Sequence, residues 1–403
     1  MSMKKKIFIV IVLAILFIPF CLHILIKPNL ASKYLTTENR TVTQLPTIDN
    51  LRHPKIFFKD YSLFVTDRLW GKDTITQHVN NLIKDPNLFT SFDLSKGVIG
   101  ANGYVFLGND YADVIDRHFR VFSFKKYSDY AETLFEKITT LSKLSHEFKS
   151  QFIVLVAPDK HTVYEEFFPS WVKQKPSELT LTQLGISDLK KNGIPVLFPS
   201  NDLISQTETE QVYFKTDTHW NIKGAEVAFR SILKALKLEE PKNTFLIVPD
   251  GVSKNIGDLG PIVGIPSNFS FEDKSYRFNF GEDQVVTWVE PMQEQKEIMI
   301  KDALARGFQK TFSAKVKNNH SQSTKSIMLI CDSFGTSLSP FLSSYFRTVY
   351  LTSNHKSLTV LSDEIKENKP DIVIYEIVER SFIMPGSNDR NKDKSKNRLK
   401  QVS

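Results

Sequence analysis

The segment "SIMLICDSFGTSLSPFL", residues 326–342, starts as a strand and continues as a helix. After its first serine comes a short apolar run, which is typical of a strand covered on both faces. The turn at residues 332–335 then leads into a segment with helical spacing. Such a strand, turn and helix is the repeating connection of an open α/β sheet. Ser333 is therefore predicted to lie at the carboxyl end of a strand, where these sheets bind ligands.

Other apolar runs with β-branched residues predict further buried strands. They are "FIVLVA" (152–157), "PVLF" (195–198), "TVYLT" (348–352) and "DIVIYEIV" (371–378). Patterns with helical spacing lie between or before them, at residues 127–149, 223–237 and 358–368. This alternation predicts an α/β fold, a doubly wound, mostly parallel sheet flanked by helices.

The N-terminal segment predicts a membrane anchor. Three lysines, residues 4–6, precede the apolar run "IFIVIVLAILFIPFCLHILI" at residues 7–26, which is about as long as a bilayer-spanning helix. The segment after the run has no A-x-A pattern for signal cleavage, so we expect an uncleaved single-pass transmembrane helix. The lysines favour the cytoplasmic side for the N-terminus. The body is therefore predicted to be extracytoplasmic, attached to the cell membrane.

The charge distribution and the cysteine count limit which partners and which structural classes the chain can have. The formal net charge of +7 comes from the two ends of the chain, the N-terminal lysines and the basic tail at residues 386–403. The near-neutral body has no evident basic face, so no nucleic-acid partner is expected. The cysteines are Cys21 and Cys331, which gives no disulfide framework. We predict an anchor at residues 1–30, one catalytic domain at residues 31–385 and a disordered tail at residues 386–403.

A second stretch, "YFKTDTHWNIKG" at residues 213–224, supplies partners for Ser333. Asp217 and His219 lie two residues apart, so the carboxylate can orient one ring nitrogen while the other takes the serine proton. The alternatives are a polar turn for the Asp-x-His pair and a helix cap for the serine. A metal site lacks an evident third ligand, since His161 follows another strand and His320 lies in a polar stretch. We therefore predict a Ser-His-Asp triad that needs neither metal nor cofactor.

Several motifs carry a family resemblance. "DTHWN" and "DSFGTS" are similar to motifs of the SGNH-hydrolase-like polysaccharide O-acetyltransferases of the AlgJ/AlgX (DHHW) type. Further stretches resemble that family over most of the chain. They are "TENRTVTQLP" (37–46), "FFKDYSLFVTDRLWGKD" (57–73), "VIGANGYVFLGND" (98–110), "APDKHTVYEE" (157–166), "GDLG" (257–260) and "KPDIVIYEIVER" (369–380). Two positions depart from the pattern: Tyr104 replaces a tryptophan, and Cys331 replaces the glycine of the usual G-D-S-F.

The resemblance implies an SGNH-hydrolase-like fold and an O-acetyltransferase that acetylates a cell-surface or secreted polysaccharide through an acetyl-Ser333 intermediate. It also implies a multispanning acyltransferase of the MBOAT type as acetyl donor, because acetyl-CoA is cytoplasmic. Two alternatives stay open: a polysaccharide acetyl esterase with the same triad, and a catalytically silent component of an acetylation complex.

Four further residues form the candidate substrate-binding set. Lys160 and Tyr164 follow the strand at residues 152–157, and Arg380 follows the strand at residues 371–378. All three thus fall at strand ends, where an acyl group or a sugar would lie, although a rim of solvated polar residues would have the same pattern. Trp220, directly after His219, is predicted to shield and position the imidazole.

Overall fold

The computed structural model describes residues 57, 94–119, 128–170, 172, 180–241, 246–263, 265, 271–279, 285–289, 296–299 and 313–382. The chain divides into two compact units, one of Met1–Phe92 and Ile256–Phe271 and the other of Asp93–Asn255 and Glu272–Ser403. In the first unit the described residues form a short helix, Leu259–Ile262. The second unit contains the central sheet.

The strands are β1 (Gly97–Ile99), β2 (Val105–Leu107), β3 (Gln151–Ala157), β4 (Val196–Leu197), β5 (Leu246–Asn255), β6 (Phe271–Asn279), β7 (Val285–Val289), β8 (Lys296–Met299), β9 (Ser313–Asn318), β10 (Ser323–Cys331), β11 (Phe346–Ser353) and β12 (Ile372–Val378). The α-helices are α1 (Val114–Phe119), α2 (Ser128–Glu147), α3 (Lys160–Val163), α4 (Leu181–Lys191), α5 (Ser200–Thr207), α6 (Ile222–Ala235), α7 (Leu259–Ile262), α8 (Ser333–Thr336), α9 (Ser339–Tyr345), α10 (Leu358–Asn368) and α11 (Glu379–Phe382).

The central sheet has eight strands in the order β4-β3-β12-β10-β11-β9-β7-β8. Strands β4, β3, β12, β10 and β11 are parallel to one another, whereas β9, β7 and β8 extend the sheet beyond β11 in antiparallel fashion. The prediction of an α/β fold with a mostly parallel sheet and flanking helices is thus confirmed. β1 pairs with β2, and β5 pairs with β6, in two small separate sheets.

One face of the sheet carries the main apolar core. Alternate residues of β3, β12 and β10 pack there against α2 and α10, as expected for strands whose side chains alternate between faces. Phe152, Val154 and Val373 on the sheet meet Ile138 and Leu141 of α2, and all of them are buried. The other side chains of the same strands face the opposite side, where α8 follows β10.

The segment between α5 and α6 is closed by local contacts. Tyr213 and Trp220 form an isolated antiparallel bridge around residues 214–219. Asn221 caps α6 by accepting a hydrogen bond from the Gly224 N–H at 3.0 Å. A Cβ atom at Gly224 would lie 2.2 Å from the Val212 carbonyl oxygen, so only glycine permits this close approach. We call residues 213–220 the bridge loop.

Several predictions fall on other parts of the chain. The apolar run at residues 7–26, the domain boundaries at residues 30 and 385, and the basic tail all lie outside the described residues. In the part of the chain that the structure does describe, no helix combines the length and apolarity of a membrane span.

Candidate active site

Ser333 lies at the turn from β10 into α8. Asp332 is extended, and its Oδ1 accepts a hydrogen bond from the Phe334 N–H at 2.9 Å, which caps α8. Its Oδ2 accepts another from the Val378 N–H at 2.8 Å, at the end of β12. Asp332 therefore ties the turn to the neighbouring strand. Ser333 is the first residue of α8, so its backbone N–H has no acceptor within that helix.

The bridge loop places Asp217 and His219 opposite this serine. Asp217 Oδ1 accepts hydrogen bonds from the backbone N–H of His219 at 2.9 Å and from its ring Nδ1 at 2.7 Å. The His219 Nε2 lies 2.8 Å from Ser333 Oγ. A carboxylate only accepts hydrogen bonds, so Nδ1 carries the ring proton and the neutral Nε2 can accept the serine hydroxyl proton. The structure thus brings the three predicted catalytic side chains into one hydrogen-bonded row.

The row is open to solvent on one side. The side chains of His219 and Asp217 are 28% and 25% exposed. Behind them the Phe334 ring, which is fully buried, lies 4.9 Å from the imidazole. Trp220 meets Phe334 edge to face at 5.2 Å, and its Nε1 donates a hydrogen bond to the Phe334 carbonyl oxygen at 3.2 Å. Trp220 is thus linked to the imidazole through Phe334, and both rings form the apolar wall behind the row.

Lys160 and Tyr164 lie beneath the site and support the bridge loop. The Lys160 ammonium is buried and donates hydrogen bonds to the carbonyl oxygens of Val105 and Lys215, both at 2.9 Å. The Tyr164 hydroxyl accepts a hydrogen bond from the Val212 N–H at 3.0 Å. Burial raises the pKa of Tyr164. These contacts favour a supporting role for both residues, and their binding of substrate stays a prediction.

Arg380 lies over the Phe334 ring of the apolar wall. Its guanidinium is 5.3 Å from the centre of the Phe334 ring, and its Nη1 forms a hydrogen-bonded ion pair with Asp159 at 2.5 Å. The Arg380 side chain is 16% exposed, whereas that of Asp159 is buried. Arg380 therefore connects the apolar wall of the site with a buried cluster of charged side chains. Its contact with substrate also stays a prediction.

The buried cluster was missed by the sequence reasoning. His118 donates from Nδ1 to the Val114 carbonyl oxygen at 2.7 Å, and its Nε2 lies 3.3 Å from Glu379 and 4.0 Å from Asp159. Burial alone would lower the pKa of His118, but Glu379, followed by Asp159, raises it to about 9. Glu379 also accepts hydrogen bonds from Thr162 and from the Asp159 N–H. His118 and Glu379 are far apart in sequence and match no motif, so only the folded chain joins them.

His118, Asp159 and Glu379 have the spacing of a metal site, since one ligand atom from each lies within 4.8 Å of the others. The charges argue against a divalent ion. The side chains of His118 and Arg380 already pair with the two carboxylates. A divalent ion bound to His118 Nε2 would displace the proton of that nitrogen and leave one positive charge uncompensated in this buried place. The cluster therefore fits a closed ion-pair network better than a metal centre.

Cys331, at the position where the resembled family has glycine, is buried in this turn. A Cβ atom at Gly335 would lie 2.3 Å from the Cys331 Cβ and 2.9 Å from its Sγ. The larger residue before Asp332 is thus accommodated because Gly335 has no side chain. Burial, with the nearby carboxyls of Glu376 and Asp332, raises the pKa of the Cys331 thiol well above its usual value.

Comparisons with known proteins bear on the fold. Residues 119–299 match the family model of the SGNH hydrolase-like domain of acetyltransferase AlgX. This range includes Asp217 and His219 and ends before Ser333. No curated protein sequence matches the chain.

Three solved structures are similar to the chain at low sequence identity. Bacillus cereus PatB1 with a sulfonyl adduct is 16% identical, with a TM-score of 0.50 over 64% of this chain and 90% of that one. The O-acetyltransferase domain of Pseudomonas putida AlgJ is 16% identical, with a TM-score of 0.47 over 73% and 95% of the two chains. Pseudomonas aeruginosa AlgX is also 16% identical, with a TM-score of 0.43 over 71% and 62%. At such identities the PatB1 likeness shows a shared fold and leaves the activity open. Residues 119–299 are therefore similar to the SGNH hydrolase-like domain of acetyltransferase AlgX, which confirms the resemblance seen in the sequence.

Proposed function

We propose that the protein is a membrane-anchored, extracytoplasmic O-acetyltransferase that acetylates a cell-surface or secreted polysaccharide through an acetyl-Ser333 intermediate. The observation that carries the proposal is the continuous row of hydrogen bonds from Asp217 through His219 to Ser333. A serine hydroxyl is a poor nucleophile near neutral pH, and an oriented imidazole within hydrogen-bond reach supplies the general base that it needs. The matched acetyltransferase domain supports acetyl as the acyl group.

In the first half-reaction, Ser333 Oγ attacks the carbonyl carbon of the acetyl donor while His219 Nε2 takes the hydroxyl proton. The tetrahedral intermediate carries a negative oxygen, for which the Ser333 backbone N–H is the first hydrogen-bond donor. Collapse of the intermediate breaks the bond to the donor's leaving group, which receives the proton from His219. Asp217 remains ionised, holds the ring tautomer and stabilises the imidazolium.

In the second half-reaction, a sugar hydroxyl attacks the acetyl-serine carbonyl carbon. His219 Nε2 takes the proton of that hydroxyl and returns it to Ser333 Oγ as the ester bond breaks. The product is an acetylated sugar and free enzyme. The partly exposed row of side chains suits an acceptor as large as a polysaccharide. The acetyl donor partner that we propose is a multispanning acyltransferase of the MBOAT type, with the segment at residues 7–26 anchoring this chain beside it.

The nucleophile is tested by acetate release from p-nitrophenyl acetate with the full chain. Ser333→Ala and His219→Ala should each lower kcat by about 10³-fold or more, and the double variant should be little worse, because the residues act as a unit. Ser337→Ala, in the same segment, is the matched control and should keep activity. Full activity of folded Ser333→Ala would refute the proposed nucleophile. Acetate release by the wild type no faster than in buffer would instead favour the silent assembly component.

The acceptor separates a transferase from an esterase. The full chain is incubated with an acetyl donor and cell-surface oligosaccharides, and the products are measured by mass spectrometry. Acetylated oligosaccharide that disappears with Ser333→Ala supports transfer. Release of acetate alone, with every oligosaccharide tried, would favour the esterase.

A further inference from the structure

Glu376 is a fully buried acid next to the nucleophile turn. It lies on β12, which pairs with β3 on one side and β10 on the other. Its partner in the β3 register is Leu155, an apolar residue that is also fully buried. The titratable groups that face it are Cys331 and Asp332, at the end of β10. Burying a charged group without a cationic partner costs free energy, so an ionised Glu376 would destabilise the fold at this position.

The carboxyl of Glu376 contacts the backbone of the turn. Its Oε2 accepts a hydrogen bond from the Asp332 N–H at 3.0 Å, and the Gly335 N–H is a second donor to the group. A Cβ atom at Gly335 would lie 2.9 Å from the same oxygen, so the backbone of the turn packs directly against the Glu376 carboxyl. One oxygen of Glu376 thus holds the residues on either side of Ser333 and Phe334.

The other oxygen, Oε1, is buried, and no described atom forms a hydrogen bond with it. The nearby carboxyl of Asp332 accepts hydrogen bonds from the Phe334 and Val378 N–H groups. Two charged carboxyls side by side in this buried place would repel each other. Burial, followed by the charge of Asp332, raises the pKa of Glu376 well above its usual value. A proton on Glu376 removes the repulsion and gives the carboxyl a hydrogen-bond donor.

We propose that Glu376 is a positioning residue, held as a neutral carboxylic acid, that sets the backbone of residues 332–335 and thereby the Ser333 hydroxyl and N–H. This inference rests on the proposed role of Ser333 as nucleophile. Glu376 contacts neither the hydroxyl nor an acyl group, so it acts only through the turn. Glutamine should replace it well, because an amide has the same shape, the same acceptor and a donor where the acid has its O–H. Leucine keeps the volume but removes both hydrogen-bonding groups.

The activity test compares Glu376→Gln and Glu376→Leu in the full chain, with p-nitrophenyl acetate as the substrate. We expect kcat within about threefold of the wild type for Glu376→Gln, and a fall of about 10²-fold with little change in KM for Glu376→Leu, because a small misplacement of reacting groups has this effect. Thr352→Val, which also removes a buried polar group of the sheet, is the matched control and should keep activity. Wild-type activity should fall at alkaline pH as Glu376 ionises, and Glu376→Gln should lack that fall.

Two measurements detect the proton on the Glu376 carboxyl independently of enzymatic activity. The infrared carbonyl band of a carboxylic acid should be present at neutral pH in the wild type and absent in Glu376→Gln. The unfolding equilibrium constant of the wild type, relative to Glu376→Gln, should rise by up to about tenfold per pH unit above 4.5, since ionisation is opposed in the folded state.

The outcomes separate this inference from the proposed function. An active Ser333→Ala variant would refute Ser333 as the nucleophile. The infrared band and the unfolding ratio would still test whether Glu376 is a neutral acid. Equal pH dependence of stability in wild type and Glu376→Gln, or no lost infrared band, would overturn the neutral acid. Wild-type kcat in Glu376→Leu, or equal loss in folded Glu376→Gln and Glu376→Leu, would overturn the positioning role.

Discussion

Substituting glutamine for His118 should change how the stability of the protein depends on pH. In the folded chain the imidazole faces Glu379 and Asp159 and has a pKa of about 9, above the usual value of 6.5. A histidine with a raised pKa stabilises the fold while it is protonated. That contribution is fully present below pH 6.5 and is lost as the pH rises through about 9. Glutamine is a polar side chain that carries no charge at any pH.

The size of the effect follows from the difference between the usual pKa of histidine and the pKa of His118 in the folded chain. Raising the pKa from 6.5 to about 9 corresponds to about 3 kcal/mol, at 1.36 kcal/mol per pH unit. His118 is buried, so solvent screens this interaction little. The advantage of the wild type over His118→Gln should therefore shrink by about 3 kcal/mol between pH 6 and pH 9.5, which is about two orders of magnitude in an opening equilibrium constant.

Hydrogen exchange measured by mass spectrometry on the peptide containing α1 is the suitable assay, because it reports local opening without requiring two-state unfolding of the whole chain. Wild type and His118→Gln are compared at each pH, so that the intrinsic pH dependence of exchange cancels. His146→Gln, at an exposed histidine of α2, is the matched control and should follow the wild type. A protection ratio between wild type and His118→Gln that stays constant from pH 6 to pH 9.5 would show that His118 gains no proton on folding, and the ion-pair account of the cluster would then be wrong.

Three further predictions concern the site and the anchor. Asp217→Asn should lower kcat for p-nitrophenyl acetate by about 10³ to 10⁴-fold with the fold intact by circular dichroism, because the amide no longer fixes the tautomer of His219; a loss below tenfold would contradict that role. Gly335→Ala should destabilise the protein by about 1–3 kcal/mol in thermal unfolding through contact with Cys331, and by less in a Cys331→Gly background; equal losses in both backgrounds would refute this account. Protease added to intact cells should digest the body while residues 7–26 keep it attached, whereas protection until lysis would contradict the proposed orientation.

Much of the sheet was predictable because its central strands are apolar on both faces. The predicted strands at residues 152–157, 326–330, 348–352 and 371–378 all fall within or nearly on β3, β10, β11 and β12. The antiparallel extension by β7, β8 and β9 was not predicted. The segments "KEIM" and "SAKVKN" interrupt their apolar residues with charges, so they lack the continuous run that marks a buried strand.

The candidate site was predictable where chemistry and spacing coincide in a short motif. Asp217 and His219 share one turn, and Ser333 follows a strand, so three residues could be proposed without coordinates. Glu376 gave no such indication, since an acid within an apolar strand has no local pattern to mark its partners. Its role depends on β12 and β10 being neighbours, although more than forty residues separate Glu376 from Asp332.

Two of the three proposed catalytic side chains, Asp217 and His219, lie together in the bridge loop. One oxygen of Asp217 holds both the main chain and the ring of His219, and the Tyr213–Trp220 bridge closes the loop around them. The contacts that orient His219 therefore lie within the loop, while Lys160 and Tyr164 fix the position of the loop itself. The rest of the fold must then set the distance between His219 Nε2 and Ser333 Oγ. Activity would then be lost through misalignment of two intact halves, at stresses too mild to unfold either one.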